Sequence, residues 1–302
     1  MTIRSKGMWL VGALVSVGIW GGWLVEPVGG RGIVVSQLDK GSASHLFKLG
    51  NEYLDKEQYE KAIEMYNQLL QIDKTFGEGY YRRGIAKFRL GEYQQALVDF
   101  NQALELQPQE AWGYFWRGIT QRELARFNEA IQDLNQAVKL LPSENEFYYQ
   151  RSITRSMLKD YDGAMRDIST AIRIEPSNGE YYFWRGTLYR LSNKCKEAIG
   201  DFNISINLIP NQPGTHFGRA ICSLVLDQPQ NALKDFNITL SLNPKLVQVY
   251  KYRAIAHLGV KNEALACQDL GKAIELDRSM NKEEFLLADE MKEFYQKICR
   301  KK

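Results

Sequence analysis

Residues 80–108 read YYRRGIAKFRLGEYQQALVDFNQALELQP, and the stretch recurs along the chain. A 34-residue frame opened at Ala43 puts a small residue at its eighth place seven times: Gly50, Gly84, Gly118, Ser152, Gly186, Ala220 and Ala254. The twentieth place is always alanine: Ala62, Ala96, Ala130, Ala164, Ala198, Ala232 and Ala266. Five frames close on proline, at Pro108, Pro142, Pro176, Pro210 and Pro244, and no insertion breaks the count. A fixed period of this size marks a stacked repeat protein, in which no unit buries its apolar face alone and neighbours cover one another.

Each frame divides into two helical patterns. In the second frame, helix A is predicted over 78–90 and helix B over 93–106, with apolar or small residues at helical spacing, Tyr80, Gly84 and Phe88 on A and Ala96, Phe100, Ala103 and Leu104 on B. Gly91 stands between them, where a helix commonly ends on a left-handed residue, and Pro108 stops the second helix. The small eighth residue is expected to face the alanine at the twentieth, so that two backbones cross closely. These motifs resemble the tetratricopeptide repeat (TPR) family, a helix–turn–helix of this period, over residues 43–280. The resemblance implies an all-α fold, a right-handed α-solenoid superhelix of repeats at 43–76, 77–110, 111–144, 145–178, 179–212, 213–246 and 247–280. It also implies partners held on a concave face lined by the A helices.

Two charged columns run through repeats two to seven. The seventh place is Arg83, Arg117, Arg151, Arg185, Arg219 and Arg253; the twenty-third is Asp99, Asp133, Asp167, Asp201, Asp235 and Asp269. The first frame has Leu49 and Met65 there and lacks both charges, so pairing is expected within a repeat. One identical pair per repeat is a structural device that fixes geometry, not a catalytic one.

The groove-facing places carry an aromatic row, Phe47, Tyr81, Phe115, Tyr149, Phe183 and Phe217, which breaks at Lys251. Trp116 and Trp184 stand beside it, with Arg82, Arg122 and Arg190 nearby. Part of the row packs between adjacent A helices; the two tryptophans exceed what that packing needs. Exposed aromatic and arginine residues are the usual anchors of an interface, so these residues are the candidate partner-binding set. Family members that grip a C-terminal carboxylate do so with Lys and Asn. Here the Asn place reads Asn51 once, then Ile85, Ile119, Ile153, Thr187, Ile221 and Ile255, which argues against heat-shock chaperones as partners. An apolar or aromatic segment, helical or extended, suits the groove better.

Residues 1–30 differ from the rest. Arg4 and Lys6 precede residues 8–25, MWLVGALVSVGIWGGWLV, which carry no charge. Eighteen residues rise roughly 27 Å as a helix, close to a bilayer's hydrocarbon thickness. Trp9 and Trp23 lie near its ends, and Gly18 and Gly22 form a GxxxG pattern on which another membrane helix can pack. The stretch reads as a retained anchor with a cytoplasmic N-terminus and repeats on the periplasmic or lumenal side. The competing reading is secretion after signal cleavage near Gly30. Residues 31–42, with Gly32, Gly41 and Ser42, read as a linker. The last repeat loses its closing proline to Arg278, and 281–302 read as a capping helix whose Phe285, Leu287, Ala288, Met291 and Tyr295 cover the repeat before it.

The chain has 302 residues and a net charge of +3, so nothing in bulk charge points to nucleic acid. His45, His216 and His257 lie far apart, and Cys195, Cys222, Cys267 and Cys299 have no CxxC spacing, so neither metal nor cofactor is expected. Cys195 and Cys222 read either as a bridge between adjacent repeats or as separate semi-buried thiols, the latter favoured. Two glycosylation sequons begin at Asn203 and Asn237 but fall at the place of Asn67, Asn101 and Asn135, which marks them as repeat features. The expectation is a non-catalytic, membrane-anchored scaffold for protein–protein interaction that assists assembly of a membrane-associated complex. The alternative is a glycan-handling scaffold in envelope polysaccharide export, with Trp112, Trp116 and Trp184 stacking on sugar rings.

Overall fold

The computed structural model describes residues 34–280 and 286–299, and all fifteen elements among the described residues are α-helices. The first pair is α1 (Val34–Asp55) and α2 (Tyr59–Ile72). The A helices that follow are α3 (Gly77–Arg89), α5 (Ala111–Glu123), α7 (Asn145–Met157), α9 (Gly179–Leu191), α11 (Pro213–Val225) and α13 (Val247–Gly259). Their B partners are α4 (Tyr93–Leu106), α6 (Phe127–Leu140), α8 (Tyr161–Ile174), α10 (Cys195–Leu208), α12 (Pro229–Leu242) and α14 (Glu263–Met280), and α15 (Leu286–Cys299) packs on α14. Each helix touches the one before and the one after it. Neighbouring A helices also touch directly, more than neighbouring B helices do, so the stack bends with the A helices on its inner side.

The stretch read as a linker over 31–42 is corrected: α1 begins at Val34, because Val34 to Lys40 contain neither Gly nor Pro and Gly41 alone does not stop the helix. The anchor stretch 8–25, with Gly18 and Gly22, lies outside the described residues. No helix among the described residues is long and apolar enough to cross a membrane.

Every A–B turn is built the same way. The residue at the fifteenth place has positive φ: Glu57, Gly91, Ala125, Lys159, Asn193, Asp227 and Lys261, between 55° and 80°. The next amide reaches back around it, as Glu92 N–H donates to Lys87 O at 2.9 Å and Arg126 N–H to Gln121 O at 2.8 Å, which satisfies the last carbonyls of helix A. Only one of the seven is glycine, so the turn is imposed by the packing of the two helices and not by local preference.

The small eighth place meets something other than alanine alone. A Cβ on Gly84 would lie 2.8 Å from the Phe100 ring, and one on Gly186 would lie 2.8 Å from the Phe202 ring and 3.3 Å from Ala198 O. The missing side chain therefore admits the large residue at the twenty-fourth place, while the alanine at the twentieth brings its backbone close. Tyr66, Phe100, Leu134, Ile168, Phe202, Phe236 and Leu270 fill that place and are fully buried.

The arginine–aspartate columns form the predicted pairs inside each repeat. Arg83 Nε and Nη2 donate to Asp99 Oδ2 and Oδ1 at 2.9 and 2.6 Å, and the other five pairs repeat this fork. Each aspartate is buried. The remaining guanidinium nitrogen reaches back to the preceding repeat: Arg83 to Asn67, Arg117 to Asn101, Arg151 to Asn135, Arg219 to Asn203 and Arg253 to Asn237, at 2.6–3.0 Å. Arg185 has Ser169 at that place and makes no such bond. The sequon asparagines are thus used in the stack, and their partners Ser205 and Thr239 are fully buried.

Candidate functional site: the inner face of the A helices

The aromatic row divides once its contacts are counted. Tyr81 and Phe115 are buried, Tyr81 against Phe100 at 6.3 Å between ring centres and Phe115 stacked on Phe147 at 4.9 Å. Phe47 lies against Phe76 at 5.1 Å, Tyr149 against Tyr181 at 5.0 Å, Phe183 against Phe202 at 6.3 Å and Phe217 against Tyr252 at 5.8 Å, all half-buried. The row is partly the seam between successive A helices, at Phe115–Phe147, Tyr149–Tyr181 and Phe217–Tyr252, and partly packing inside a repeat, at Tyr81–Phe100 and Phe183–Phe202.

The two tryptophans also make contacts within the chain. Trp116 packs on Phe88 at 5.4 Å and Phe100 at 6.5 Å, with Arg89 over its ring at 5.6 Å. Trp184 donates its indole N–H to Ser152 Oγ at 2.8 Å. Trp112, the third ring considered for sugar stacking, meets Phe147 edge-on at 4.8 Å. All three remain half-buried.

The polar members form short relays along the inner face. Arg82 pairs with Glu78 one turn away at 2.8 Å. Arg122 Nη1 donates to Gln150 Oε1 at 2.6 Å across to the next A helix, and Gln150 Nε2 donates to Glu146 Oε1 at 2.7 Å. Burial pushes the Glu146 carboxyl above the usual range, opposed by the Gln150 bond. Tyr149 is pushed up to about 12 by burial and then by Glu180 and Glu146. Arg190 is half-buried.

The sequence reading overlooked a column at the thirteenth place. It is Asp55, Arg89 and Glu123 in the first three repeats, then Met157, Leu191 and Val225. The last three are 50%, 45% and 67% exposed, and Ile255 in the seventh repeat is 38% exposed. The contacts Arg89–Trp116 and Arg122–Gln150 show that the end of one A helix lies beside the middle of the next. The same register sets Met157 by Trp184 and Val225 by Tyr252. This column is therefore charged over repeats one to three and apolar over repeats four to six, with Gly259 at its place in the seventh. The switch of residue class down one column of the frame was the signal available in the sequence.

The Cys195–Cys222 alternatives resolve as two free, buried thiols. The bonded pair is Cys267–Cys299, which no spacing argument had singled out.

Family comparisons agree with this architecture. A tetratricopeptide repeat profile matches residues 77–110, a second matches 113–143, and a TPR repeat profile matches 50–91. No curated protein matches the chain. A tetratricopeptide repeat protein of Parabacteroides merdae is similar at 19% identity over 85% of this chain and 98% of its own, with a TM-score of 0.62. PilF of Pseudomonas aeruginosa is similar at 16% identity over 72% of this chain and 98% of its own, with a TM-score of 0.64. YrrB, described as a TPR protein with an unusual peptide-binding site, is similar at 20% identity over 64% of this chain and 97% of its own, with a TM-score of 0.53. At these identities the likeness shows the fold. The chain carries tetratricopeptide repeats stacked as an α-solenoid, a scaffold suited to protein–protein interaction.

Proposed function

We propose that this chain is a membrane-anchored scaffold whose inner face holds an apolar segment of a partner protein and thereby assists assembly of a membrane-associated complex. The observation that carries the reading is the exposed apolar run of Met157, Leu191 and Val225 at one place of successive A helices. Apolar side chains on a concave wall, bordered by charge at one end, fit an apolar peptide segment with polar flanks. The peptide-binding site named for YrrB supports a peptide as the class of ligand. Anchoring rests on the uncharged stretch 8–25 and its Gly18 and Gly22. Placement of the repeats on the periplasmic or lumenal side is supported by the Cys267–Cys299 bond, since disulfides persist in oxidising compartments.

The test is isolation of the full chain from membranes in mild detergent. The reading expects recovery in the membrane fraction, a stoichiometric membrane protein alongside it, and loss of that protein with Leu191→Asp. A chain that fractionates away from membranes with residues 8–25 intact, or that elutes alone, defeats the proposal.

A further inference from the structure

The junction beyond the seventh repeat is built differently from those before it. At the junction into the seventh repeat the incoming A helix is tied back twice: Arg253 Nη1 donates to Asn237 Oδ1 at 2.8 Å, and the Tyr250 hydroxyl donates to Pro244 O at 3.1 Å. Neither tie is possible after α14. Gly271 stands at the asparagine's place, Leu287 at the arginine's and Glu284 at the tyrosine's, so the acceptor side chain and both donors are missing. α14 also runs for 18 residues where α12 runs for 14.

Among the described residues, two things hold α15 down. Phe294, Tyr295 and Cys299 pack on Ala254, Ala266 and Leu270. Cys299 is also bonded to Cys267, with 5.7 Å between Cα atoms and a sequence separation of 32. The bond closes the open end of the α14–α15 hairpin. Both cysteines are only half-buried, so a reductant can reach them, whereas Cys195 and Cys222 are buried.

We propose that the Cys267–Cys299 disulfide is a redox latch that decides whether α15 covers the apolar end of the seventh repeat. A thiolate of a dithiol reductant attacks one sulfur and forms a mixed disulfide, releasing the other cysteine. The reductant's second thiolate then displaces the remaining cysteine and closes its own disulfide. Two electrons and two protons pass to the chain, which ends with two thiols. Without the closed loop, α15 loses the covalent tie between its far end and α14, so it opens locally while the stack persists. Ala266 and Leu270, fully buried when the latch is closed, then lose their cover.

Amide hydrogen exchange on the full chain, before and after reduction with dithiothreitol, tests this. Reduction is expected to speed exchange within 286–299 on the order of 100-fold, with protection of 77–246 unchanged. Cys267→Ser and Cys299→Ser are expected to show the fast exchange without reductant and no further response to it. Unchanged protection of 286–299 in a chain whose Cys267 and Cys299 both react with an alkylating agent would overturn the latch. So would a loss of protection spread evenly over all repeats, because the bond would then be a general staple.

Discussion

The indole N–H of Trp184 donates to Ser152 Oγ at 2.8 Å, and that hydroxyl donates to Ala164 O at 2.8 Å. Ser152 is the one hydroxyl in a column of glycine and alanine, and Trp184 stands on the next A helix. The serine gives the indole an acceptor that glycine would not, so the two residues explain each other across a repeat junction. Trp184→Phe and Ser152→Gly should each cost about 1–2 kcal/mol in urea unfolding, and the double variant should recover about 1 kcal/mol of coupling. Additive losses would show that the bond carries nothing.

The left-handed turns give a prediction of opposite sign. Ala125 and Lys159 hold φ of 58° and 61°, a conformation that strains a side chain. Ala125→Gly and Lys159→Gly should each stabilise the stack by roughly 0.5–1 kcal/mol, and Gly91→Ala should destabilise it by about as much. Thermal unfolding of the three variants checks all the signs at once.

Ser169 interrupts the arginine–asparagine ladder at the junction between the fourth and fifth repeats. Ser169→Asn supplies the acceptor that Arg185 lacks, with geometry set by the five junctions that already have it. A gain of about 0.5–1 kcal/mol is expected, read from the urea midpoint. No gain would mean that the ladder bonds, which are exposed to water at the asparagine, contribute little.

His257 sets a pH dependence in the seventh repeat. Burial pushes its imidazole below 6.5; Asp269, 3.8 Å from Nε2, opposes the shift, and Arg253 adds to it. The folded state thus favours the neutral ring, and the unfolded chain takes up the proton first. The contribution is fully present above the unfolded value of about 6.5 and is lost as pH falls below it. Stability of the wild type relative to His257→Gln should therefore drop between about pH 7 and pH 5. A difference that stays constant with pH would exclude this role.

Much of the architecture was legible because it is periodic. The glycine–alanine columns, the Arg83–Asp99 pairing and its five copies are all visible as residues 34 apart. The inner face was read less well. Tyr81 and Phe115 looked like groove residues because spacing along one helix gives the direction of a side chain, not what a neighbouring helix places against it. Their burial depends on Phe100 and Phe147, which lie on other helices. Met157, Leu191 and Val225 were missed for the converse reason: an apolar residue at a helix end looks like core until the next A helix is seen to leave it open. The bond between Cys267 and Cys299 depends on how α15 folds back, which no local pattern encodes.

The most direct test of the central claim is site-specific photocrosslinking in cells. A benzophenone side chain at Leu191, on the inner face, is compared with one at Val98, 66% exposed on the B helix α4. The account predicts a discrete crosslink to one membrane protein from position 191 and none from position 98. Equal crosslinks from both positions, or none from position 191 with the chain folded and in the membrane fraction, would contradict it.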